Sequence, residues 1–328
     1  MISALLLALL TLLAVSSAAP PIEIRTPMPP PAWALSQRAL LKAYSEAATE
    51  FVSKYTDHRG YFLCTERWGG NDGPDDVMET FTAWPLLHAL GAPGALLTQY
   101  RRIWEAHLLQ FTAAKAPSAS MAKDGMFYRE FVTSFDWEHT GEGLAAFHFY
   151  ALSQPNDPAY IQRMRRFAAF YDGSDPDAPN YDPRHKIIRS LHNGSKGPLL
   201  TPASVFDWGG ETVPGHPERH DRYKAASNIR GDHPLNLCST TLGFNAYALT
   251  GNKKHRDWLL EYAGAWRDRI LANNGNIPTN IGLDGVTGSE WGGKWYGGTF
   301  GWNFDPSTSS RNYYMRGARI ALGEAFLL

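Results

Sequence analysis

The sequence predicts an all-α fold built from helical hairpins, with long loops at one end. Three observations predict it. Apolar residues recur at helical spacing in segment after segment along the chain. Several of these segments are joined by tight turns such as Gly91-Ala-Pro-Gly94 and Thr250-Gly-Asn252. The other connections are long and rich in Gly, Pro, His and Trp, and no strand pattern of comparable strength interrupts the helices. Paired helices with short turns on one side and elaborate polar-aromatic loops on the other describe an α/α toroid.

Residues 1–19 form an almost unbroken Leu/Ala run closing on small residues. That reads as a signal peptide, although no Lys or Arg precedes the run, and it is short for a membrane span. The expected protein is therefore secreted or periplasmic, with no membrane contact once the leader is removed. Residues 20–33 are Pro-rich without apolar periodicity, a linker-like leader. The first helix is expected over 34–55, where Leu35, Ala39, Leu40, Ala43, Ala47 and Phe51 keep helical spacing. Pro74 opens a second helix as a first-position proline, running to Leu90 with a kink at Pro85. A third follows over 95–114. Thr140 reads as the N-cap of the next helix, which is apolar over 144–153 and carries Glu142 in its first turn. Asn156-Asp-Pro158 starts another that ends near Tyr171. Helices resume over 235–249 and 253–271, and a last one covers 315–328. The intervals 172–232 and 273–314 read as loops, and connections that long are usually functional.

That makes about eight helices, whereas a closed ring of six hairpins needs twelve. The expectation is a catalytic domain over 34–328 that is truncated at its C-terminus. An incomplete solenoid, complete as given, is the alternative.

Lys plus Arg total 31 against 32 Asp plus Glu, a net charge of −1. That balance excludes the basic footprint of a nucleic-acid binder. Aromatic residues reach 13%, with 11 Trp, which suits either an aromatic-lined groove or a large helical core. Cys64 and Cys238 can pair as a disulfide or remain two buried thiols. Asn193-Gly-Ser is a glycosylation sequon in a eukaryotic secretory setting. Nothing in the composition fixes the oligomeric state.

The chemistry concentrates at 129–143, Arg129-Glu-Phe-Val-Thr-Ser-Phe-Asp-Trp-Glu-His-Thr-Gly-Glu-Gly143. Asp136 and Glu138 flank one residue, so an extended backbone would send both carboxylates from the same face. With His139 and Trp137 beside them at a helix start, they are candidates for acid/base work on a sugar. The same acids also serve simply as partners of a helix dipole. Asp75 and Asp76, behind Gly-Gly-Asn-Asp-Gly73, have the same two readings. A glycosidase needs two carboxyl groups, about 5 to 5.5 Å apart for retention or about 6.5 to 9.5 Å for inversion. Trp68, Trp137, Trp208, Trp291, Trp295 and Trp302 lie beside Gly or acidic residues in loops and are candidate sugar platforms. By contrast Trp84, Trp104, Trp258 and Trp266 fall in helical patterns and read as core. Metal binding is not expected: His216-Pro-Glu-Arg-His220 has a helical His spacing that Pro217 spoils. No phosphate-cradling Gly loop or nucleophile elbow is present, and no cofactor is implied.

Gly231-Asp-His-Pro-Leu-Asn-Leu237 leads into a helix pair bearing Trp and Tyr. Asn276-Ile-Pro-Thr-Asn-Ile-Gly-Leu-Asp-Gly285 and Gly293-Lys-Trp-Tyr-Gly-Gly-Thr-Phe-Gly-Trp302 follow it. From residue 34 onward this alternation resembles the six-hairpin (α/α)6-toroid glycosidases and polysaccharide lyases, among them the unsaturated glucuronyl hydrolases and the alginate- and heparin-lyase-like enzymes. The resemblance is one of architecture, and it implies an enzyme acting on glycans that contain uronic acid. If the reaction is hydrolysis, Asp136 and Glu138 assisted by His139 carry it, with Asp75 or Asp76 as second carboxylate. If it is β-elimination, a base takes the proton next to the uronate and cations or amides neutralise the carboxylate. His139, Arg189, His192, Asn193, Arg230, His233 and Tyr181 are then the candidates. A non-catalytic glycan-binding module is the third reading.

Overall fold

The computed structural model describes residues 23, 25, 26, 28–63, 78–114, 137–176, 180–189, 231–296 and 315–328; of these, 111–114, 137–144, 235 and 315–319 are described as backbone alone. Among the described residues there are eight α-helices: α1 Ala32–Tyr55, α2 Trp84–Ala89, α3 Gly94–Ala114, α4 Trp137–Ser153, α5 Pro158–Ala169, α6 Thr240–Thr250, α7 Lys253–Ala272 and α8 Met315–Leu327. A 3-10 turn, Pro234–Ser239, runs directly into α6. The fold is all-α. None of the described helices is long and apolar enough to cross a membrane. The leader over 1–19 lies outside the described residues.

Residues 28–40 belong to a compact unit separate from the one formed by 41–328. Within the second unit, local chemistry sets the helix ends. Asp157 caps α5 by accepting from the amides of Ala159 and Tyr160, at 3.0 and 3.3 Å, with Pro158 in the first turn. Gly251, left-handed at φ 66°, ends α6. Asn252 then accepts from the Lys254 amide at 3.1 Å and starts α7. One short turn therefore reverses the chain.

Three expectations are corrected. Pro85 does not kink a continuous helix. The chain turns over 80–83, and Pro85 sits in the first turn of the new helix α2, where its missing N–H costs no helical hydrogen bond. Thr140 is not an N-cap, because α4 begins at Trp137 and Thr140 lies inside it. Glu138 is thus helical, which removes the shared extended face proposed for it and Asp136. A short antiparallel pair also occurs, β1 Tyr181–Asp182 with β2 Ile187–Ile188, where only loop was expected. Two residues per strand are too few to show alternation.

Aromatic residues fill the core. Phe62 stacks on Phe81 at 5.8 Å between centroids, and Trp104 stacks on Phe147 at 5.1 Å. Phe147 also packs against Tyr160 and the edge of Phe167, at 4.7 and 4.9 Å, which ties α3, α4 and α5 together. Trp84, Trp104, Trp258 and Trp266 are all buried in this core. Cys238 is half-buried against it, and Cys64 lies outside the described residues.

Candidate functional site

The most organised polar feature is the side chain of Asp232. Its backbone pairs with that of Ile281, N–H to carbonyl at 2.7 Å in one direction and 2.8 Å in the other. The approach is so close that a Cβ on the preceding Gly231 would sit 1.8 Å from the Ile281 carbonyl oxygen. Only glycine fits there.

The Asp232 carboxylate is fully buried and receives five donors. Oδ1 accepts from the His233 amide and the Asn236 side-chain amide, each at 2.8 Å. Oδ2 accepts from the Ile188 amide and the Trp266 indole N–H, each at 3.1 Å. The Tyr262 hydroxyl reaches both oxygens. Burial pushes the carboxyl up to about 6, against the opposing pull of the Asn236 amide, the Arg269 charge, the Ile188 amide and the Tyr262 hydroxyl. Arg269 in turn donates to the carbonyls of His185 and Lys186, at 2.6 and 3.2 Å.

These bonds fasten three loop segments to the C-terminal half of α7: 181–189, 231–236 and, through Ile281, 276–296. A group with no exposure does not meet a substrate. Asp232 is a positioning residue that fixes the backbones around it.

Five of the sequence candidates ride on these segments. Arg189 follows the bonded Ile188 directly, is half-buried, and donates its amide to the Asn180 carbonyl at 3.0 Å. His233 follows Asp232 and is 4% exposed. The Trp295 carbonyl accepts from the Thr279 amide at 2.8 Å, and the Trp291 amide donates to the Gly288 carbonyl at 2.8 Å. Both indoles are half-buried. Tyr181 is spoken for: its hydroxyl donates to Glu261 at 2.6 Å, and burial, reinforced by that glutamate, pushes the phenol far above its ordinary range. That makes it a poor base.

Trp137, Glu138 and His139 open α4, and their side chains lie outside the description. Trp68, Asp75, Asp76, Asp136, His192, Asn193, Trp208, Arg230 and Trp302 lie outside the described residues. Asn236, Tyr262 and Trp266 were not anticipated as parts of a site. The Gly231-Asp-His-Pro-Leu-Asn236 string was the one available signal. Among the described residues, no three of His, Cys, Asp and Glu are grouped so as to hold a metal ion.

The family model described as a domain of unknown function, DUF8034, matches residues 22–310. No curated protein and no solved structure matches the chain.

Proposed function

We propose that this chain, which belongs to the DUF8034 family, is a secreted enzyme that cleaves glycosidic bonds in a uronic-acid-containing glycan, its helical hairpins forming part of an (α/α)6 toroid. The observation that carries the reading is the gathering of three loop segments on the buried Asp232, 181–189 and 231–236 through its carboxylate and 276–296 through its backbone. Those segments carry Arg189, His233, Trp291 and Trp295, the residue types an acidic sugar requires. Guanidinium binds a carboxylate, and half-buried indoles offer faces to pyranose C–H groups.

In the proposed reaction a protonated carboxyl gives its proton to the glycosidic oxygen as the C–O bond breaks. An ionised carboxylate either attacks the anomeric carbon itself, to be displaced later by water, or takes a proton from the water that attacks. Asp136 and Glu138 are assigned the acid/base work, assisted by His139, with Asp75 or Asp76 as second carboxylate. The indoles Trp68, Trp137, Trp208 and Trp302 would extend the platform, and His192, Asn193 and Arg230 would bind the sugar's polar groups.

A second reading, β-elimination on the same fold, draws on one specific observation. The amides of His233 and Ile188, the latter preceding Arg189, share the Asp232 carboxylate, so the backbones that carry an imidazole and a guanidinium are held to one anchor.

Both readings are tested by incubating the protein with uronate polymers and with neutral glucans. Hydrolysis yields reducing ends alone, whereas elimination also yields the ultraviolet absorbance of an unsaturated uronate. Glu138→Gln should lower turnover by about 10²- to 10⁴-fold. No product from any polymer, or an unchanged Glu138→Gln rate, removes the catalytic assignment. Binding without turnover leaves a glycan-binding module.

A further inference from the structure

A cleft of about 800 Å³ runs along α5 to the start of α7. It lies away from the Asp232 loops: His255, on its wall, precedes Trp266 by eleven positions on α7, roughly 16 Å along the helix axis. Its charged lining is one-signed. Arg163, Arg165, Arg166 and Lys254 line it, and no Asp or Glu does so among the described residues.

The acids that hold these cations sit beneath or beside them. Asp172 and Asp175 have side chains 0% and 5% exposed, against 49% for Lys254 and 40% for Arg166. Asp172 also holds His255 at 3.2 Å and accepts from the Ser174 hydroxyl. Glu105 takes Arg163 with two bonds, at 2.5 and 3.1 Å. Asp172 and Asp175 therefore hold the Lys254 ammonium and one Arg166 guanidinium nitrogen from below while both heads stay partly exposed. Arg163 is the more buried partner of its pair, at 24% against 54% for Glu105, and Arg165 is exposed. Gln162 and Asn252 add amides to the same wall.

From this we infer that the α5–α7 cleft is a second binding site, for a saccharide bearing carboxylate or sulfate groups. The cations pair with its oxyanions, and the amides accept and donate to its hydroxyls. The volume exceeds what one inorganic ion fills. No Phe, Tyr or Trp lines the cleft among the described residues, and the His255 imidazole is only 4% exposed, so a stacked nucleic-acid base has no open platform. This site stands apart from the Asp232 loops, and its binding does not depend on turnover.

The test is calorimetric titration of the full chain with alginate oligosaccharides, dextran sulfate, neutral dextran and a single-stranded oligonucleotide. Uronate and sulfate sources are separated by the first two. One or both should bind, and neutral dextran should not. Arg165→Glu, at an exposed position, combined with Lys254→Gln should weaken the bound ligand by about tenfold or more, since two charge-assisted bonds are lost and one charge is reversed. Lys253→Gln, next in sequence but off the cleft wall, should leave affinity unchanged. Arg165→Glu alone gives the same direction if the double variant melts early. Overturning results are failure of both acidic saccharides to bind, equal loss with Lys253→Gln, or tighter binding of the oligonucleotide.

Discussion

The Tyr262 hydroxyl lies across both oxygens of Asp232, at 3.1 and 2.9 Å. A phenol has one proton, so it donates to one oxygen at a time. The other four donors hold the carboxylate in place while it does so. Tyr262 and Trp266 stand four positions apart on α7, one turn of helix, and so present their polar atoms to the same point. The loop end of the protein is thereby anchored to a rigid helix rather than to another loop.

Removing that anchor should be costly. Asp232→Ala leaves five donors without their acceptor inside the core, and the expected loss is about 3–5 kcal/mol in urea denaturation. Asp232→Asn keeps one acceptor oxygen and should lose less. A change below about 0.5 kcal/mol in the alanine variant would mean that water or neighbouring groups satisfy those donors. Because Asp232 fixes the backbones of His233 and Ile188, its loss should also open the 181–189 and 231–236 segments to amide exchange.

The α6–α7 hairpin makes a second prediction. A Cβ on Gly243 would meet the Trp258 ring at 2.8 and 2.9 Å. Trp258 is 6% exposed and stacked on Tyr262 at 5.9 Å, so the ring has little room to retreat. Gly243→Ala gains roughly 1 kcal/mol in helix propensity, yet overpacking costs about 1–3 kcal/mol. The sum should be destabilising, or neutral at best. A clearly raised melting temperature would show that the ring moves freely.

Much of the helical framework was legible because its signals are local. The apolar spacing of 34–55 and the Asp157-Pro158 and Asn252 caps act within a few residues of themselves. What failed was ambiguous or distant. Thr140 suits a cap, but Trp137, Glu138 and His139 are all admissible in a helix, so the earlier start competes and wins. The site was less legible still. Helical spacing placed Trp266 in the core, where it is 1% exposed. Its indole N–H is committed to a carboxylate 34 positions away, and the Tyr262 hydroxyl donates to the same carboxylate from 30 positions away. Such pairings leave no periodic trace, and only the density of polar residues around 231–236 hinted at them.

Glu324 on α8 makes the third prediction, in pH. The Thr241 hydroxyl donates to its Oε1 at 2.6 Å. Burial pushes the carboxyl up to about 7, and the hydroxyls of Thr240 and Thr241 offset only part of that. A folded-state value above the unfolded one means the native protein holds the proton more tightly. The stabilisation is complete below about 4.5 and is lost as pH rises toward 7, with no further change above. Allowing for partial exposure, the loss should be about 1–3 kcal/mol. Glu324→Gln carries no such proton, so the stability of the variant relative to the parent should climb between pH 5 and pH 8, by roughly that amount. Asp232 titrates in both proteins and cancels in the difference. Asp172 is shifted the other way: burial opposes its ionisation, but the His255 and Ser174 bonds and the Lys254 charge outweigh it. Its contribution is therefore present above its ordinary range and lost only on acidification, below the window measured. A difference curve that stays flat from pH 5 to pH 8 would place the Glu324 carboxyl in solvent and dissolve its contact with α6.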